Sequence, residues 1–536
     1  MNFKRIIAVI LMAFLVVNIV GCNKKTDNTF SEMPSTSESV KRRDYLTLLY
    51  SMSDSFNPYT VETAVNRQLC QLIYEPLVKL DNSFNPVYCL AKDVVIDGTS
   101  CTVTVNAYKF SDGSTVSAED VVYSYNLAKS TTTSFAAKLY AVQSATASDS
   151  ATVVFKLSKA DPFFANVLNF PIIKAGSEKI SNADSVLQPP IGSGRYKVNE
   201  NKDGLVQNDN YHGAKGSIRK IKLINAPDTD SVSHYAQVGA ADMYYNDISD
   251  GTILRMSGKK LDINLNNLVY IGINQNYGAL AENALRQALS SGIDRTKLCQ
   301  NIYYNNALPA NGFFNPVWQA VKSVQNIQIE AKSEITIENL EKIGYNRLDS
   351  KGLRANINGI PLKLTLLVNS ENRTKVTAAQ LIASQLLDYG ISITVVEKPY
   401  EQYMQSLVDG NFQLYLGEIK LTENMDISSM VVEGGSAAFG LAVPKVNVTV
   451  PDNNATLDEG IVTEAETSKT AGEVVAGFYA GQNTITDIAS VLQSEMPFIP
   501  LCYRTGALFY NDNIENVNNS SESDIYFSIE SYNYKE

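Results

Sequence analysis

The chain has 536 residues, 44% of them hydrophobic, and a formal net charge of -11. That length exceeds what one hydrophobic core supports, so two or three domains are expected. The acidic balance argues against nucleic acid as a partner, because its binders concentrate Lys and Arg. The two histidines, His212 and His234, leave little for zinc or Ser-His chemistry, so no metal, cofactor or catalytic residue is expected.

In chain order, Lys4 and Arg5 precede an apolar run from Ile6 to Val20. A charged start before an apolar stretch has the form of an export signal, and at about 1.5 Å per residue the run is short for a roughly 30 Å hydrocarbon core. Ile19-Val20-Gly21-Cys22 has the form of a bacterial lipobox, which makes 1–21 a signal peptide and Cys22 the lipidated residue. Residues 22–43 are rich in Ser, Thr, Asn and Lys and read as a flexible tether, since so little apolar surface cannot offset chain entropy. Five other cysteines remain, Cys70, Cys89, Cys101, Cys299 and Cys502. They are scattered and odd in number, and buried free thiols are favoured over a bridge between Cys89 and Cys101.

From Asp44 the chain alternates strands and helices. "YLTLLYS" (Tyr45 to Ser51) reads as a strand, and Ala64 to Leu77 carries apolar residues at helical spacing. "CTVTVNAYKF" (Cys101 to Phe110) alternates and runs into the turn dipeptide Asp112-Gly113. Ser117, three residues before Asp120, predicts a capped helix start, and "TVVFKLS" (Thr152 to Ser158) predicts another strand. Later, "PLKLTLLV" (Pro361 to Val368), "ISITVVE" (Ile391 to Glu397) and "FQLYLGE" (Phe412 to Glu418) read as strands separated by two helices. In the first helix Val376, Ala379, Ala383 and Leu386 share a face, and Gly390 stands where a C′ glycine belongs. A β-α-β-α-β order implies a parallel sheet, whose ligands sit beyond the carboxyl ends of the strands, so the loop after Phe412 to Glu418 is a natural site. Residues 442–475 are polar and acidic, and their order is left open.

At this point the succession of segments resembles a known family. "SFNPYTVETAVNRQLCQLIYEPLVKLDNSFNPVYCLAKD", "YKFSDGSTVSAEDVVYSYNLA", "PIGSGRYKV", "VQNDNYHG", "GAADMYYNDI", "LRQALSSGIDRTKL", "ALPANGFFNP" and "MPFIPL" follow one another. Their order is similar to that of the extracytoplasmic solute-binding proteins of ABC importers, family 5, the oligopeptide, dipeptide and nickel-binding group. Three places depart from the family pattern. Asn106-Ala107 replaces Leu-Arg, His212 replaces a frequent tryptophan, and "GEIKLTENMD" (Gly417 to Asp426) replaces the usual GW-x-ADY.

The resemblance implies an α/β, two-lobed periplasmic-binding-protein-like fold with an extra domain inserted in lobe one. Lobe one is expected over 44–77, 190–268 and 500–536, the inserted domain over 78–189, and lobe two over 269–499. The implied function is capture of peptides or a related polar solute by hinge closure and delivery to ABC permease subunits in the membrane. The protein would act as a monomer held at the extracytoplasmic face by its lipid. A surface sensor of peptide signals on the same fold is the alternative, while an exported hydrolase lacks a nucleophile elbow, an HExxH or a paired-histidine motif.

By position in the family's motifs, Tyr59, Glu62, Tyr123, Tyr244, Tyr245, Asn246 and Glu418 are the candidate ligand-binding residues. Each has an ordinary structural reading as well: Tyr123 as core of an amphipathic helix, Glu62 and Glu418 as exposed carboxylates, Tyr59 and Tyr244 to Asn246 as packing residues. The family aspartate that pairs with a peptide's α-amino group falls on Leu421, beside Thr422. Free-amine di- to pentapeptides are therefore expected to bind weakly. Glu418, Glu423 and Glu62 are the alternative carboxylates.

Overall fold

The computed structural model describes residues 43–130, 133, 135–179, 189–247, 258–324, 329–441 and 469–535. The signal peptide, Cys22, nearly all of the tether and most of the 442–475 segment lie outside them. Among the described residues, no helix is long and apolar enough to cross a membrane.

Three sheets organise the body. The first is four-stranded, in the order Tyr45–Tyr50, Lys220–Asn225, Gly204–Gln207 and Tyr196–Val198. Tyr45–Tyr50 pairs in parallel with Lys220–Asn225 and buries Leu46 and Leu48. The helix Ala64–Ile73 follows its first strand and buries Leu69, Leu72 and Ile73.

The second sheet is antiparallel, in the order Ala91–Asp97, Ser100–Val105, Thr152–Leu157 and Val142–Ala147. Its alternating burial puts Cys101, Val103 and Val105 inside, as the sequence pattern implies. The helix Ala118–Ala128 packs with it and opens on a capping box. Ser117 accepts from the Asp120 backbone, and Asp120 Oδ2 accepts from Ser117 N at 2.9 Å. Two orphan donors are satisfied together, which fixes where this helix begins.

The third sheet has seven strands. One path runs Met243–Asn246, Phe498–Tyr510, Lys259–Ile273, Leu414–Lys420, Lys363–Asn369, Ser392–Lys398, and Ala307–Pro309 pairs with Phe498–Tyr510 off that path. Lys363–Asn369 is parallel to both Ser392–Lys398 and Leu414–Lys420, so the expected β-α-β-α-β unit is present. Its first helix, Arg373–Leu387, is capped by Asn372 and buries Val376, Ala379, Ile382 and Leu386, with Ala383 half-buried beside them. Gly390 lies two residues past the C-cap at φ +77, one position beyond the expected C′ site. The segment's described end forms the helix Ala471–Tyr479.

Two strands of this sheet, Lys259–Ile273 and Phe498–Tyr510, are twice the ordinary length. Their first parts pair Lys259 through Asn264 with Tyr510 through Thr505, and their second parts pair from Leu268 with Tyr503 onward. The register breaks between Asn264 and Leu268. Such a bulge kinks a ladder locally, so the two ends of the sheet meet at a point where the chain can bend. The five described cysteines are all free and buried, and no disulfide joins Cys89 to Cys101.

Candidate functional site

A cavity of about 490 Å³ opens beside strand ends of the first and third sheets, within the size range of small-ligand sites. Its wall draws on residues far apart in sequence: Pro58, Val61 and Arg67 near the first helix, Glu75 and Lys79 beyond it, Lys138 and Asn169, Arg195, Asp247, Lys420 to Glu423, and Glu522 to Asp524. The loop after Leu414–Lys420 is thus part of the wall, where the parallel-sheet argument put it.

Local sequence explains how Arg195 arrives there. Gly192 and Gly194 of "PIGSGRYKV" lie so close to the end of Ala64–Ile73 that added Cβ atoms would sit 2.2 Å from Ile73 O and 2.4 Å from Ile73 C. Only glycine permits that approach, and Gly194 N donates to Ile73 O at 2.9 Å. The next residue, Arg195, is 8% exposed and donates from Nη2 to Asp524 Oδ2 at 2.8 Å and from Nη1 to Oδ1 at 3.3 Å, while its Nε donates to Glu530. Lys79 adds a 2.9 Å ion pair to Asp524. Burial pushes the Asp524 carboxyl up, but Arg195 and Lys79 outweigh it and hold it below the usual carboxylate range.

The opposite wall is also charge-paired. Lys138 pairs with Glu423, and Lys420 with Glu522. Asn169 Nδ2 donates to Glu423 Oε1 at 3.4 Å. Burial raises the Glu423 carboxyl, but Lys138 and Lys420 overrule it, leaving it below its ordinary value. Glu75 Oε1 lies 3.0 Å from His212 Nε2, and His212 stacks on Tyr108 with ring centres 3.7 Å apart. His212, one of the departures, thus bridges the wall residue Glu75 and Tyr108, which follows the other departure at Asn106-Ala107. Three acceptor atoms of wall residues have no hydrogen-bond partner: Glu75 Oε2, Glu423 Oε2 and Asn169 Oδ1.

A polar seam runs beside the cavity between the segment 138–166 and the loop 421–426. Asp426 accepts from Lys159 and from Tyr140 Oη, each at 2.7 Å. Asn424 Nδ2 donates to Asp161 Oδ2 at 2.6 Å, and Asn166 Nδ2 donates to Glu423 O at 3.0 Å. Burial pushes the Asp161 carboxyl up to about 6, while Lys159 holds Asp426 down against its own burial. The same loop is tied to the strand bulge: Leu421 N donates to Asn266 O at 2.9 Å, and Asn266 Nδ2 donates to Thr422 O at 2.8 Å.

None of the seven residues proposed from motif position lines this cavity, although several stand next to residues that do. Tyr59 is buried between the lining residues Pro58 and Val61, and its Oη donates to the carbonyl of Pro171, itself a wall residue. Glu62 is exposed, with its backbone N–H donating to Asp54. Tyr123 donates to Glu178 on the outer side of its helix. Tyr244, Tyr245 and Asn246 pair with Phe509, Leu508 and Ala507, one step before the wall residue Asp247. Glu418 is ion-paired to Lys375 at 3.1 Å and lies 3.6 Å from Arg504. The sequence reading missed Arg195, Asp524, Lys79, Lys138 and Lys420. "GSGR" carried a signal for the first; Lys79 and Lys420 lie in quoted segments without being singled out, and no local pattern marks Lys138 or Asp524.

The cavity with its paired charges belongs to a two-lobed α/β body of mixed sheets and helices. The chain belongs to the bacterial extracellular solute-binding proteins, family 5, whose middle-region profile matches residues 85–430. It is 22% identical over 403 residues to the oligopeptide-binding protein AppA of Bacillus subtilis, covering 72% of this chain and 74% of that one. It is 24% identical over 364 residues to the nickel-binding periplasmic protein of Escherichia coli, covering 64% and 68%. Among solved structures, the unliganded open form of the murein tripeptide-binding protein MppA aligns with a TM-score of 0.69 at 19% identity, over 92% of this chain and 98% of that one. A nickel ABC transporter protein from Bacillus halodurans aligns with the same TM-score of 0.69 at 17% identity, over 92% and 100%.

Proposed function

We propose that this protein is the lipid-anchored binding component of an ABC importer, taking a peptide or related polar solute into the 490 Å³ cavity and handing it to a membrane permease. The observation that carries the reading is the cavity itself, walled by charged side chains from segments far apart in a family 5 chain. Lobe one over 44–77, 190–268 and 500–536, an inserted domain over 78–189 and lobe two over 269–499 fit this reading, with the bend at the bulge between Asn264 and Leu268. The lipobox-like Ile19 to Cys22 supplies the anchor. Extraction from native membranes followed by mass spectrometry of co-purifying small molecules tests the ligand class. A peptide or polar oligomer is expected, and a metal complex or an empty protein would refute that class. Cys22→Ser should release the protein or leave it unprocessed, and a normally cleaved, anchored variant would refute the lipid.

A further inference from the structure

We propose that Lys138 is a built-in counter-ion that occupies Glu423 from within, so that the cavity selects solutes without a free ammonium group. The inference rests on the reading of this cavity as the ligand site. Glu423 is 9% exposed and already carries the Lys138 ammonium, with Lys420 close enough to add to its ionisation. Of the other wall carboxylates, Asp524 is matched by Arg195 and Lys79 and Glu522 by Lys420, while Glu75 Oε1 lies within hydrogen-bond distance of His212. An incoming ammonium would have to displace Lys138 or be buried beside it, and like charges at a desolvated site repel.

An N-blocked short peptide avoids that repulsion: it brings amide donors along its length and no charge at its first residue. Lys138 is in this sense a specificity-determining residue, and its side chain belongs to the segment that also forms the seam with the loop 421–426.

The test has two arms. In the first, calorimetry compares trialanine with N-acetyl-trialanine on the wild-type protein and on Lys138→Ala. The wild type should bind the acetylated form about tenfold tighter or more, and Lys138→Ala should reverse the preference. In the second, n-butylammonium, which matches the deleted stem and charge, is added to each protein while its melting temperature is followed. It should raise that of Lys138→Ala but leave unchanged the wild type and the Lys138→Ala/Glu423→Gln double variant. Lys138→Met, which keeps the stem and drops only the charge, replaces the alanine variant in the first arm if the latter does not fold. A wild type that prefers the free amine, or a Lys138→Ala protein indifferent to butylammonium, overturns the proposal. If neither peptide binds either protein, the peptide reading of the cavity fails, and the butylammonium arm still decides the role of Lys138.

Discussion

At Arg195 one guanidinium serves two carboxylates, and the reason lies in the two glycines before it. Their backbone rests on the end of Ala64–Ile73, which carries the arginine into a site 8% exposed, where only a planar fork satisfies Asp524 and Glu530 together. Arg195→Met leaves Glu530 and Asp524 short of a partner and should cost roughly 3–5 kcal/mol, read as a lower urea midpoint. Asp161 provides a prediction of opposite sign. Burial, with Asp426 nearby, pushes its folded carboxyl up to about 6 against the pull of Asn424 and Lys159, from an ordinary value of 3.8. Between those values the folded state holds a proton that the unfolded state has released, so this group's contribution to stability falls as pH rises through the window and is flat above it. At about 1.4 kcal/mol per unit, the slope integrates to no more than about 3 kcal/mol. Asp161→Asn fixes the neutral form and should remove that slope, which thermal melts from pH 4 to pH 7 on both proteins would measure.

At the scale of elements, the sequence makes the parallel unit legible because its signals are local. Alternation, a helical face and a capping residue fix Lys363–Asn369, Arg373–Leu387 and Ser392–Lys398 within a residue or two. The cavity is not legible in this way, since Lys79 and Asp524 are 445 positions apart and nothing local links the quoted segment that holds Lys79 to Asp524. Glu418 illustrates the limit: it shares a strand with Lys420 but stands two residues earlier, about 7 Å along the strand, where Lys375 of the covering helix reaches it. The family pattern pointed to a loop that lines the cavity, and there it is Glu423 rather than Glu418 that stands in the wall. Asn266 couples this loop to the bulge through both its backbone and its side chain, and it is 2% exposed. Asn266→Ala strands the Thr422 carbonyl and should cost about 1–3 kcal/mol, with ligand affinity falling in parallel. Isothermal titration beside urea unfolding would separate the two losses. Gly194→Ala should act through the other wall: with Leu72 O 2.5 Å from the new Cβ, the Arg195 loop must lift, at about 1–3 kcal/mol.

Over the whole molecule, the proposed hinge closure would have to work with or against the seam that joins 138–166 to 421–426. Its members include two ion pairs, Lys138 with Glu423 and Lys159 with Asp426, and the Asn424 to Asp161 hydrogen bond, set beside the contact of Phe163 with Trp318 and Phe478. On the other side the two long strands continue through the bulge, so motion about Asn264 to Leu268 would part the seam while leaving both ends of the sheet intact. On the proposed clamp mechanism, ligand-free protein would distribute between closed and open forms according to how well the seam holds. Asp426 is the residue to weaken, because it collects Lys159 and Tyr140 at 2.7 Å and its carboxyl is kept ionised by Lys159 against burial. Asp426→Asn removes the charge and keeps the shape. The variant should show a larger radius of gyration than the wild type by small-angle scattering without ligand, and the two should converge when ligand is saturating. Because part of the binding energy is then spent on closure that the seam no longer supplies, affinity should fall by the same factor as the closed population. Equal scattering curves for the ligand-free proteins would mean that the seam does not set the closed population, and that the bulge alone governs the motion.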